Sequence, residues 1–137
     1  MGYQQRAKQA TMLSDKSYFG FENLEVYQLG CELVVSAYRL AEALPSREQF
    51  GLTSQLCRAA TSVCLNIAEG KGRGSDKDFL RFLYMARGSL LETVSAAHLA
   101  TKLGFVEAQV VKPLYEQASL LNGKINAFIR LLEAPSP

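Results

Sequence analysis

Gly70, Gly72 and Gly74 alternate with Lys71 and Arg73 between two apolar stretches, in the run Asn66-Ile67-Ala68-Glu69-Gly70-Lys71-Gly72-Arg73-Gly74-Ser75. Glycines interleaved with cations can cradle a phosphate, touch a nucleic-acid backbone, or simply turn the chain. A Walker-type phosphate loop needs a preceding strand and a Lys-Ser or Lys-Thr pair entering a helix. Here helical periodicity precedes the run, and Lys71 is followed by Gly72. A dinucleotide fingerprint needs a βαβ unit, which the same context excludes. The remaining reading is a helix–helix turn. Gly70 caps one helix, Gly72 and Gly74 permit left-handed dihedrals, and Ser75 caps the next helix. That accounts for the glycines but not for Lys71 and Arg73, which fall beside a helix N-terminus whose free N–H groups favour anions.

The basic character continues downstream. Lys77, Arg81 and Tyr84 step by four and three residues, so on a helix they share a face with Lys71 and Arg73, and Arg87 lies to one side. Cations with an interleaved aromatic can hold phosphates and stack a base. The plainer reading is a solvated face, which Asp76 and Asp78 partly neutralise. Residues 57–87 carry six basic and three acidic residues, whereas residues 21–56 carry two and five, within a net charge of +2. This is a modest patch, well short of a dedicated DNA-binding domain. In a homo-oligomer it would repeat, and weak phosphate contacts would add as avidity.

Other residue types that can do chemistry lack partners in sequence. Arg58, Asn66, Glu69 and Glu92 fall near apolar rows and read as a structural polar cluster, with Arg58 expected to meet Glu92 or Glu69. Glu69 as a catalytic base has no nucleophile, second acid or metal-ligand partner at useful spacing. His98 is the one histidine, which excludes histidine triads and multi-histidine metal sites. Cys31, Cys57 and Cys64 are odd in number and unpaired in spacing, against a disulfide framework or a zinc site. Cys57 and Cys64 share a helical face and read as small buried apolar residues. The expectation is a non-enzymatic protein with no metal, cofactor or small-molecule substrate.

The elements that would position these residues are helical. Strand-like alternation is absent and 3.6-residue periodicity dominates. Residues 1–20 read as an N-terminal arm, residues 21–133 as one domain, and residues 134–137 as a frayed end. The predicted helices span about residues 23–44, 47–69, 76–103 and 106–133. Asn23 is the candidate cap of the first, Ser46 with Gln49 of the second, and Ser75 with Asp78 of the third. The predicted core rows are Leu24, Tyr27, Cys31, Val34, Tyr38, Ala41 and Leu44 in the first helix, and Leu56, Ala60, Val63 and Ile67 in the second. Phe79, Leu83, Ala86, Leu90, Val94 and Ala97 mark the third, and Val110, Leu114, Leu121, Ile125, Phe128 and Leu132 the fourth. Gly104 is a predicted C-cap, and Pro113 predicts a kink or separate first turn. Four helices on short loops give an all-α, antiparallel up-down-up-down four-helix bundle. The start has no apolar signal segment and no run reaches a membrane span, so the expected location is the cytoplasm.

Residues 51–75, GLTSQLCRAATSVCLNIAEGKGRGS, together with residues 78–92, DFLRFLYMARGSLLE, resemble the four-helix-bundle family of bacterial ribosomal-RNA intervening-sequence proteins. The shared elements are Leu52, Ser54, Gln55, Arg58, Ala59, the run Asn66 to Gly70, Arg73, Phe79, Arg81, Phe82, Ala86, Gly88-Ser89 and Glu92. The entry Phe21-Glu22-Asn23-Leu24-Glu25-Val26 also fits, and the resemblance runs from about residue 21 to residue 133. That family is similar in fold to the accessory variability determinants of diversity-generating retroelements, which are basic homopentamers that bind nucleic acid. The resemblance implies an antiparallel bundle, a homo-oligomer with five subunits, and RNA or DNA as a partner. This chain lacks the strong positive charge of the retroelement proteins. The expected function is nucleic-acid binding through Lys71, Arg73, Lys77, Arg81, Tyr84 and Arg87. The alternative is a protein-interaction scaffold without a nucleic-acid role.

Overall fold

The computed structural model describes residues 17–135. The predicted arm falls mostly outside the described residues, as do the last two residues of the predicted frayed end. Four long helices follow one another: α1 (Glu25–Glu42), α2 (Leu52–Lys71), α3 (Asp76–Lys102) and α4 (Ala108–Glu133). Short 3-10 turns, Gly20–Asn23 and Ser46–Glu48, precede α1 and α2. No strand occurs among the described residues.

The helices form a four-helix bundle in which each packs on the next and α4 returns to α1. Cross-helix pairs run in opposite senses along the chain. Ser62 meets Ser89, whereas Gly70 further along α2 lies against Phe82 and Phe79 near the start of α3. Tyr84 bonds Glu133 and Arg87 bonds Asn126, so α3 and α4 are also antiparallel. Lys124 Nζ, 3.0 Å from Glu25 Oε1, ties α4 to the start of α1.

The core is made of rows at helical spacing. Leu56, Ala60, Val63 and Ile67 of α2 are buried, as are Phe79, Leu83, Ala86, Leu90 and Ala97 of α3, all as predicted. Thr93, the buried polar residue among them, donates from Oγ1 to the Ser89 carbonyl at 2.8 Å. In α1 the buried row is Val26, Gly30, Leu33, Ala37, Leu40 and then Leu44, one residue away from most of the predicted stripe. Both rows are apolar; contact with α2 and α4 selects the row facing between them. In α4 Val111, not Val110, enters the core, with Ala118 and Ile129 added.

Helix ends differ from prediction for local reasons. Asn23 lies in the 3-10 turn, where its Oδ1 accepts from Ser17 Oγ, and Leu24 takes the N-cap position of α1. Ser46 likewise begins a 3-10 turn; Gly51 separates it from α2, and Glu48 Oε1 accepts the free N–H of Leu52 at 3.1 Å. Ser75 does cap α3, accepting from the Asp78 N–H at 3.2 Å. Gly104, at φ 76°, closes α3 with bonds from Gly104 N to Thr101 O and from Phe105 N to Ala100 O, a Schellman arrangement. Pro113 does not split α4 into two helices. Proline removes the N–H that would reach the Gln109 carbonyl, but Gln109 is exposed in the first turn of α4, and the helix runs on past the lost bond.

Candidate nucleic-acid interface

The run Asn66 to Ser75 forms the corner between α2 and α3. Helix α2 continues through Gly70 to Lys71, and Gly72 to Ser75 make the turn. The left-handed dihedrals expected of Gly72 and Gly74 do not occur; Gly72 has φ −81°, and Gly104 is the one positive-φ glycine among the described residues. Gly70 is there for space. A Cβ on it would lie 2.7 Å from Phe82 Cβ and 3.0 Å from Phe79 Cδ1. The missing side chain lets α2 and α3 converge just before the turn.

Convergence brings the cations together. Lys71, Arg73, Lys77 and Arg81 are all exposed around the corner. The Arg73 guanidinium lies 4.9 Å and that of Arg81 4.7 Å from the centroid of the Phe82 ring. Phe82 is itself buried, so both arginines are held over the π system of one anchored ring. Phe82 is the functional residue that helical spacing of charges does not single out; its place directly after Arg81 is the one sequence signal for it. Arg73 Nη2 also donates to Glu69 Oε1 at 2.9 Å, one turn earlier. Lys71, Lys77 and Arg81 enter no ion pair among the described residues. Asp76 and Asp78 occupy the first turn of α3, where they complement the helix dipole and lower its pull on outside anions.

Tyr84 and Arg87 are engaged differently. The Tyr84 hydroxyl donates to Glu133 on α4, and this bond, ahead of other causes, pushes the phenol up from its usual pKa. Arg87 Nη1 donates to Asn126 Oδ1 at 2.9 Å, while its guanidinium sits 4.8 Å from the Tyr84 ring centroid. The pair therefore laces α3 to α4, and a base stacking on Tyr84 would compete with Arg87 for that ring face.

The predicted polar cluster does not assemble. Arg58 and Glu92 are exposed, and among the described residues the ion pairs are Glu69–Arg73 and Glu25–Lys124. An exposed guanidinium has no desolvation penalty to offset, so it has no need of a buried carboxylate. Asn66 bonds within α2, donating from Nδ2 to the Ser62 carbonyl and Oγ, both at 2.9 Å. Ser62 Oγ in turn meets Ser89 Oγ at 2.9 Å, a polar seam between α2 and α3. Among the described residues no three His, Cys, Asp or Glu side chains are grouped to hold a metal, and no helix is long and apolar enough to cross a membrane.

Fold and corner together define an antiparallel helical bundle with a cationic α2–α3 turn. The profile of the 23S rRNA-intervening sequence protein family matches residues 22–127, and the chain belongs to that family. The fold is also similar to the crystal structure of a protein of unknown function from the S23 ribosomal protein family of Bacteroides thetaiotaomicron. That likeness has a TM-score of 0.71 and 22% identity, covering 77% of this chain and 98% of that one. No curated protein matches the chain.

Proposed function

We propose that this protein is a non-enzymatic, self-associating helical bundle of the cytoplasm that binds nucleic acid, RNA or DNA, through the α2–α3 corner. The observation that carries the reading is the group of exposed cations, Lys71, Arg73, Lys77 and Arg81, with both arginines held over Phe82. Guanidinium and ammonium groups on a rigid corner suit phosphate oxygens, whose binding is electrostatic and independent of sequence. Arg73 contributes after exchanging Glu69 for phosphate. Tyr84 and Arg87 lie further along α3, tied to Glu133 and Asn126 of α4, and are secondary contacts.

Self-association supplies the avidity that so small a patch requires. Leu65 of α2, Leu91 and Leu99 of α3, and Leu103 at its C-cap are each roughly half or more exposed, between 47% and 64%. Such apolar area favours burial against further copies, and the resemblance to homopentameric bundles makes five the proposed number. These same leucines favour the second reading, a scaffold that binds protein and no nucleic acid. Light scattering on purified protein, with and without nuclease treatment, separates the two. The proposal predicts an oligomer whose mass or absorbance ratio changes when nuclease removes bound nucleic acid. A nuclease-insensitive species that also ignores added RNA and DNA at low salt favours the scaffold.

A further inference from the structure

Two cysteines far apart in sequence meet where α1 crosses α2. Gly30 is buried at this crossing, and a Cβ on it would lie 2.8 Å from Cys64 Sγ. The α1 backbone therefore rests directly on the Cys64 thiol, which also lies 3.9 Å from the Tyr27 carbonyl. Cys31 follows Gly30 immediately in α1, so its thiol lies beside that of Cys64 across the interface, with Tyr27 one turn earlier. Phe21 stacks on Tyr27 at 4.8 Å between centroids, which holds the phenol in place. Cys31 is exposed and Cys64 is buried.

We propose that Cys31 and Cys64 are a redox-active thiol pair that a small-molecule disulfide oxidises to an intramolecular bridge between α1 and α2. The exposed Cys31 thiolate attacks one sulfur of the incoming disulfide. The S–S bond of the oxidant breaks, its other sulfur leaves as a thiolate, and Cys31 holds a mixed disulfide. Cys64 then gives up its proton, attacks the Cys31 sulfur, and expels the second thiol. The protein loses two hydrogens as one disulfide becomes two thiols.

The surroundings suit these unequal roles. Hydrogen bonds from Cys64 and then from Tyr27 outweigh burial and the Glu32 carboxylate, and hold the Cys31 thiol at about 7. Cys64, buried beside the Cys31 thiol, is pushed up by that neighbour and by burial, as suits the thiol that resolves the mixed disulfide rather than starts the reaction. Cys57 is half-buried, its thiol pushed up by burial, and stands outside the pair. A bridge would pin the start of α1 to the half of α2 that leads into the cationic corner.

The test uses the full chain, reduced and then treated with oxidised glutathione, alkylated, and mapped by peptide mass spectrometry. The expected product is a bridge between Cys31 and Cys64 within one chain, with Cys57 left alkylated and no glutathione retained. Cys64→Ser should leave glutathione trapped on Cys31, and Cys57→Ser should behave as the unsubstituted protein. Glutathione retained on Cys31 of the unsubstituted protein, a bridge between chains, or modification of Cys57 as fast as Cys31 would each overturn the proposal.

Discussion

Replacing Gly70 by Ala probes the packing that builds the cationic corner. In an exposed helix interior the change should stabilise by about 1 kcal/mol, because alanine forms helix more readily. At Gly70 the added methyl meets Phe82 Cβ at 2.7 Å and Phe79 Cδ1 at 3.0 Å. Phe82 Cβ is one bond from the α3 backbone, so relief requires the helix to move. The Phe79 ring is backed edge-on by Phe128, 5.2 Å away between centroids, and cannot retreat freely. Overpacking of this kind costs roughly 1–3 kcal/mol, and with two fixed neighbours the upper part of that range applies. Subtracting the propensity gain leaves a net destabilisation of about 1–2 kcal/mol. Gly88 of α3 and Gly123 of α4 are internal controls, since a Cβ on either meets nothing within 4 Å. Gly88→Ala and Gly123→Ala should each stabilise by up to about 1 kcal/mol. Urea denaturation followed by circular dichroism, at one protein concentration, reads all three. Gly70→Ala equal to or more stable than the unsubstituted protein would refute the close-approach argument. So would controls destabilised as much as Gly70→Ala.

Three further outcomes follow from the same contacts. Ser75→Ala removes the side chain that accepts the Asp78 N–H and should cost about 1 kcal/mol in the same denaturation assay. Because the Cys31 thiol is held at about 7, its thiolate fraction rises as pH increases through that value. Iodoacetamide labelling of Cys31 should accordingly be half-maximal near pH 7, with Cys57 reacting only at distinctly higher pH; Tyr27→Phe, which deletes one donor, should move the Cys31 midpoint upward. Once bridged, Cys31 and Cys64 close a loop spanning most of α1 and most of α2, and chain entropy alone predicts a stability gain of up to about 4 kcal/mol over the reduced form. Paired denaturation curves with and without reductant measure it.

The helices were legible in the sequence because their apolar periodicity is long and their stops are strong. Ser75 and Gly104 carry out the roles their residue types suggest. The face that α1 buries was not legible, because Val26, Leu33, Ala37 and Leu40 compete with an adjacent row of equal apolarity, and only packing against α2 and α4 decides between them. Gly70 was misread for a related reason. Sequence shows a glycine near a turn, whereas the need for one arises from Phe79 and Phe82 on another helix. The Cys31–Cys64 pair was invisible for the same cause: partners 33 residues apart share no spacing rule until α1 and α2 cross. Of the basic residues, the grouping of Lys71, Arg73, Lys77 and Arg81 followed from helical spacing, but the fixing of two of them on Phe82 and the diversion of Tyr84 and Arg87 to Glu133 and Asn126 required the tertiary structure.

The central claim, nucleic-acid binding at the α2–α3 corner, is tested most directly by fluorescence anisotropy with labelled single-stranded RNA and duplex DNA across a salt series. Four cations neutralising four phosphates predict a log–log salt slope of about −3 to −4 for each bound corner. Lys71→Glu with Lys77→Glu should weaken binding at every salt concentration and make the slope shallower by about two phosphate contacts, or roughly 1.5 to 2. Both positions are exposed, so the bundle and its thermal unfolding should be unchanged. No binding at low salt, or binding whose affinity and slope ignore the double charge reversal, would contradict the account.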